Sequence, residues 1–222
     1  MLINIYKQLL KAYGKQGWWP LSKNQLQTKH HQGNPKNLKD QFEIIVGAIL
    51  TQNTSWTNVE KAIYNLNKSN LLNLNKIIKA KKSKIAKLIR PAGYYNQKAE
   101  RLKIIAEKIK NNSNLLKERE ELLKTKGIGP ETADSIILYA AEKPSFVIDT
   151  YTKRIFSRLG LINSNNYNEI KEFFEKNIKK DTETYKEYHA LIVEHAKRHC
   201  KNKPECNNCF LKERCNFASG KV

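Results

Sequence analysis

Gly127-Ile128-Gly129-Pro130-Glu131-Thr132-Ala133-Asp134, followed by Val147-Ile148-Asp149-Thr150, sets two glycines and a proline in one short turn with an aspartate beyond it. Two glycines one residue apart allow a tight turn with positive φ and leave main-chain N–H groups open to an approaching phosphate. Pro130 suits the first turn of a helix. Ala133, Ile136, Ile137, Ala140 and Ala141 then recur at helical spacing and predict one buried apolar stripe. Upstream, Leu115, Leu116, Leu122 and Leu123 make another helical pattern that closes at Lys126. The reading is helix, hairpin, helix over about 115–142, an arrangement that an ordinary helical protein also uses. Asp149 can cap the helix carrying Tyr151, Ile155, Phe156 and Leu159. A carboxylate there can equally serve chemistry.

Outside this stretch, charge is the loudest signal. The chain has 222 residues, enough for one large domain or two small ones, with 41 Lys and Arg against 21 Asp and Glu, a net charge of +20. Such a surface attracts polyanions, although a solvated, lysine-rich surface is the bland alternative. Between Lys76 and Lys110 there are 12 basic residues and two Glu, interleaved with Ile and Leu, so amphipathic helices with a basic face are expected, Lys98 and Arg101 among the phosphate-binding candidates. Pro91-Ala92-Gly93-Tyr94-Tyr95 interrupts that tract and offers an aromatic loop. No apolar run is long enough for a bilayer and no signal peptide precedes the first helix, so an intracellular, cytoplasmic or nucleoid-associated protein without membrane contact is expected.

All four cysteines lie close together as Cys200, Cys206, Cys209 and Cys215, spaced C-x5-C-x2-C-x5-C. This suits four thiolates around one metal centre better than distant crosslinks. Zinc favours two close pairs, whereas this set has one, so the spacing leans toward iron and sulfur.

Residues 1–15 have a helical pattern, and Gly17-Trp18-Trp19-Pro20 follows it outside any amphipathic period. The paired indoles either staple two layers together or form a stacking wall for a flat, extruded base. Leu21 to Lys39, with His30, His31, Gly33 and Pro35, reads as an exposed connection. Phe42, Ile44, Ile45, Val46, Ala48, Ile49 and Leu50 then make a central, nearly all-round apolar helix, for which Asp40 and Glu43 are the expected capping box. It stops at Thr51-Gln52-Asn53-Thr54, and helical spacing resumes through Trp56 and later through Phe173 to Ala196. Strands have almost no support, and the fold class is all-α.

The hairpin with Asp149, together with the cysteine loop, resembles the endonuclease III superfamily of helix-hairpin-helix-Gly/Pro/Asp DNA glycosylases. The resemblance implies a helical barrel over 36–143 and a second helical domain from 1–35 plus 144–222, with the active site in the cleft between them. It implies phosphate binding at Gly127, Ile128 and Gly129, catalysis by Asp149, wedge roles for Gln52 and Tyr94, and a 4Fe-4S cluster on the four cysteines, whose first gap is one residue shorter than usual. The expected partner is duplex DNA with a damaged base, bound by a monomer.

Bifunctional members carry a Lys two residues after the second hairpin glycine, where this chain has Glu131, which cannot form a Schiff base. With Trp18-Trp19-Pro20 and Phe42, that departure resembles the 3-methyladenine DNA glycosylases of endonuclease III type, and it implies a base pocket of Trp18, Trp19, Pro20, Phe42 and Glu131. A glycosylase with lyase activity toward oxidised or mismatched bases, and a non-catalytic DNA-binding module, are the competing expectations.

Overall fold

A computed structural model describes residues 1–23, 26–30, 34–112 and 114–220. His31 and Gly33 of the expected exposed connection lie outside the described residues. The chain divides into two compact units, one of residues 18–143 and one of residues 1–17 with 144–222. Residues 18–35, which the sequence reading groups with the first helix, fall in the former. The reason is local: Trp19 packs on Trp56 and Tyr139, and Ser22 is hydrogen-bonded to Glu43, all within 18–143.

The unit 18–143 is built around α2 (Leu38–Leu50), in which every residue from Phe42 to Leu50 is buried. Asn37, not an Asp40–Glu43 box, caps it: the Asn37 side chain accepts from the Asp40 N–H. Glu43 lies too deep to reach back, at 1% exposure. Around α2 run α3 (Trp56–Lys68), α4 (Leu74–Lys79), α5 (Lys82–Leu88), α6 (Tyr95–Asn111), α7 (Arg119–Leu123) and α8 (Pro130–Ser135). A π-helical turn, Ile136–Ala140, continues α8 and packs on α2. Instead of one apolar stripe, all residues from Thr132 to Ala140 are buried. Asp134 is tolerated there because Arg119 grips its carboxylate with two N–H···O contacts of 2.9 and 3.2 Å.

The other unit packs α1 (Leu2–Tyr13), α9 (Thr150–Arg158), α10 (Tyr167–Asn177) and α11 (Thr182–Arg198) around an aromatic core of Phe146, Phe156, Phe174 and Tyr188. The cysteine loop follows α11. Among the described residues the extended pairing is one antiparallel bridge, Leu21 with Lys29, and no helix is long and apolar enough to cross a membrane.

Candidate functional site

Within 18–143 the hairpin joins α7 to α8. The Ile128 N–H donates to the Thr125 carbonyl across the turn, with Gly127 at φ 83°. Gly129 does not share that conformation; it is extended at φ −92°, and a Cβ there would meet nothing within 4 Å. Internal packing therefore sets no demand for glycine at 129, whereas Gly127 has two: its φ, and the Arg101 side chain, whose Nε would lie 2.2 Å from an added Cβ.

Gln52 is tied into this hairpin. Its Nε2 donates to the Gly127 carbonyl at 3.0 Å and to Thr132 Oγ1 at 2.9 Å, while its Oε1 accepts from Arg101. The wedge candidate, the hairpin and Arg101 thus form one hydrogen-bonded group. Tyr94, the other wedge candidate, stands in the left-handed region at φ 44° with 64% of its surface exposed.

Lys98 is a correction. It is 1% exposed, and its Nζ donates to the carbonyls of Leu50, Gln52 and Ala92, each at 2.8 Å. Burial and then Arg101 pull its ammonium down to about 8. With three carbonyls taking three N–H groups, it fastens the end of α2 and the 90–92 turn and has nothing left for a phosphate.

The aromatic set is larger than the sequence indicated. Trp18 contacts Trp56 with ring centroids 4.8 Å apart, Trp19 at 5.6 Å and His30 at 5.3 Å, and Trp19 also meets Tyr139 at 5.1 Å. Trp19 and Phe42 are almost solvent-inaccessible and Pro20 is buried, so half-buried Trp18 carries the accessible indole. Gly47 makes room for Trp19, whose Nε1 would be 2.8 Å from a Cβ at 47. Trp56 fits a helical apolar pattern and reads from the sequence as core; Tyr139 lies off the stripe of Ala133, Ile136, Ile137, Ala140 and Ala141 and draws no reading. Glu131 is exposed on the first turn of α8.

Asp149 lies in the other unit, at the head of α9. Its Oδ1 accepts from the Thr152 N–H at 2.7 Å and the Thr152 hydroxyl at 2.8 Å, so the cap is real. Its Oδ2 stands 3.5 Å from His189 Nε2. Burial raises the carboxyl's pKa, but His189 and Thr152 together outweigh it and hold the group below the usual carboxylate range. The sequence reading missed His189. The available signal was a polar residue inside the buried stripe of α11, four residues after Tyr185 and three before Ile192.

The four cysteines, all half-buried and unbridged, line one pocket with Ile155, Leu159 and Leu211. Burial and the other three cysteines push the Cys209 thiol up against a lowering hydrogen bond at Leu211. Arg158 Nη1 points at Cys200 Sγ at 3.3 Å. Four sulfurs on one pocket with the Arg158 cation beside Cys200 are the donor chemistry a metal centre takes, but among the described residues no three His, Cys, Asp or Glu side chains are gathered closely enough to hold a metal ion as they stand.

The model for the HhH-GPD superfamily base excision DNA repair protein matches residues 46–180. The chain belongs to the HhH-GPD superfamily. It is 50% identical over 227 residues to the protein named "Putative DNA repair glycosylase MJ1434" of Methanocaldococcus jannaschii, covering 97% of this chain and 96% of that protein. It is 33% identical to endonuclease III of Thermotoga maritima, over 82% of this chain and 87% of that one. Among solved structures it is similar to the H. pylori 3-methyladenine DNA glycosylase MagIII bound to 1,N6-ethenoadenine, with 33% identity, TM-score 0.71 and coverage of 89% and 97%. An endonuclease III–DNA complex shares the fold at TM-score 0.79 and 20% identity, covering 99% and 96%. The chain is a base-excision DNA glycosylase of this superfamily, all-α in fold.

Proposed function

We propose that this glycosylase is monofunctional and excises 3-methyladenine or a related alkylated purine from duplex DNA, acting as a monomer. The observation that carries the reading is the pairing of an anionic, doubly anchored Asp149 with Glu131, a carboxylate, where lyases of the superfamily have their lysine. Without that amine no Schiff base forms at 131, and water remains as the nucleophile. Asp149 orients it or stabilises the positive charge that develops on the sugar as the base departs. An alkylated purine is cationic and already a good leaving group. Stacking on the Trp18 face, backed by Trp19, Pro20 and Phe42, therefore suffices to hold it.

The remaining assignments follow the same reading. Gly127, Ile128 and Gly129 hold a DNA phosphate, which open space at Gly129 favours. Gln52 and Tyr94 fill the gap left by the base. Cys200, Cys206, Cys209 and Cys215 hold a 4Fe-4S cluster, which supplies a fixed crosslink to the loop; about four irons per chain and broad absorbance support it, and stoichiometric zinc in colourless protein overturns it.

Methylated duplex DNA should release free 3-methyladenine and keep intact abasic strands, with no covalent complex after borohydride. Release of oxidised or deaminated bases alone overturns the substrate. Efficient borohydride trapping overturns the mechanism in favour of a lyase, the reading favoured by the likeness to endonuclease III.

A further inference from the structure

We propose that His189 is a positioning residue for the reaction, holding Oδ2 of Asp149 while Thr152 holds Oδ1. The inference rests on the reading of Asp149 as the charged group at the reacting sugar. Both hydrogen bonds from Thr152 land on the same oxygen, at 2.7 and 2.8 Å. The second oxygen faces Nε2 of His189 at 3.5 Å, with both side chains largely enclosed at 14% and 11% exposure.

A carboxylate with two donors on one oxygen can still turn about its Cβ–Cγ bond until the other oxygen is also fixed. The imidazole Nε2 supplies that second point at ion-pair distance, 3.5 Å, longer than a formed hydrogen bond, and beside a carboxylate it carries the hydrogen, because two opposed lone pairs would repel. Among the described residues His189 is the titratable group that acts on the Asp149 carboxyl, and its effect is to favour the anion against burial. The mounting is rigid. Tyr185, Tyr188 and Ile192 bury the same face of α11, and the Tyr188 hydroxyl donates to the Leu2 carbonyl of α1 at 2.9 Å. His189 therefore sets the direction of the oxygen that reaches the sugar or its water, and touches neither.

The test compares His189→Phe, His189→Gln and His189→Asn by single-turnover excision from methylated DNA, with affinity for a duplex carrying a tetrahydrofuran abasic-site analogue measured alongside. Loss of this polar contact to a charged group should slow His189→Phe by ~10-fold or more while affinity stays within ~2-fold. His189→Gln, whose amide reaches Oδ2, should recover most of the rate; His189→Asn, which is too short, should not. In an Asp149→Asn background His189→Phe should add no further loss. An unchanged rate, an equal loss in that background, or affinity falling in step with rate overturns the proposal. If His189→Phe fails to fold, the Gln and Asn pair decides alone. A separate arm needs no turnover: the Asp149 side-chain carbon, followed by NMR titration, should ionise at higher pH in His189→Asn than in the unsubstituted protein. A chain that frees no base from any lesion sinks the glycosylase reading, yet this titration still tests the contact, and an unmoved midpoint overturns it.

Discussion

Glu43 in α2 and Asp149 at the head of α9 are both buried carboxylates that accept from the main-chain N–H and hydroxyl of one Ser or Thr, and their acidities move in opposite directions. Ser22 gives Glu43 its N–H and its hydroxyl, each at 2.7 Å and each to a different oxygen; burial still pushes that carboxyl up. Thr152 gives Asp149 the same two groups on one oxygen, and the other oxygen meets His189; that carboxyl is held down. Two neutral donors therefore do not offset burial at Glu43, whereas at Asp149 His189 and Thr152 together do. The first site ties the Trp18–Ser22 segment to the central helix. The second keeps an anion available.

The largest test of that contrast is kinetic. Asp149→Asn keeps the cap but removes the charge, and single-turnover excision should fall by about 100-fold or more, since a charged group acting in the transition state contributes several kcal/mol. Glu43→Gln should leave the rate within about 3-fold, because among the described residues its oxygens serve Ser22 and its loss costs at most a hydrogen bond of about 1 kcal/mol. Similar rate losses in both variants would break the comparison.

A cationic counterpart comes next. Lys98→Met strips the donor from three carbonyls, and at about 1 kcal/mol for each the fold should lose roughly 3 kcal/mol, read as a lowered midpoint in denaturant. A midpoint unchanged by Lys98→Met would mean that water replaces the ammonium.

Smaller, and opposite in sign, are the two pH dependences. Asp149 has a depressed folded value, so its contribution is complete above its ordinary 3.8 and is lost as pH falls through the folded value. Glu43 has a raised folded value. The folded state binds its proton more readily, so its cost is absent below 4.5 and grows as pH rises through the folded value. Melting temperatures of each variant against the unsubstituted protein should thus converge at low pH for Asp149→Asn and diverge with rising pH, in favour of the variant, for Glu43→Gln. Parallel curves would remove the electrostatic distinction.

The unequal legibility of these regions has a physical basis. The hairpin, the Asp149 cap and the cysteine spacing are local: residues near in sequence set the turn, the cap or the gathering of four thiols on one pocket, so sequence order carries them. Glu43 was misread because a capping box is a local pattern too, and nothing in the order of residues shows that the central helix is buried on that side as well. His189 lies 40 residues after Asp149, and only the packing of α11 on α9 brings them together. Lys98 was counted as surface charge since one-dimensional charge density cannot distinguish a lysine facing water from one facing three carbonyls. Trp56 was hidden for the converse reason, sitting where helical periodicity expects core, and Tyr139 because it lies off the expected stripe of a helix that is in fact buried all round.

The smallest effect separates Lys98 from Arg101, neighbours on α6 with different tasks. Arg101 lies across Gly127 and donates to Gln52, beside the hairpin proposed to hold a phosphate. If about five phosphates are contacted, log K for DNA should fall with log salt at a slope of roughly −4 to −5. Arg101→Gln removes one cation near that site and should make the slope shallower by at most about 1. Lys98→Met, assayed below its unfolding transition, should leave the slope alone, because its charge never reaches the DNA. Gln52→Ala should also leave it alone while impairing base extrusion, as a neutral amide releases no counterion. Equal slopes for Arg101→Gln and the unsubstituted protein would confine Arg101 to buttressing Gly127 and Gln52; a slope changed by Lys98→Met would mean that α6 rearranges on DNA and frees the buried ammonium.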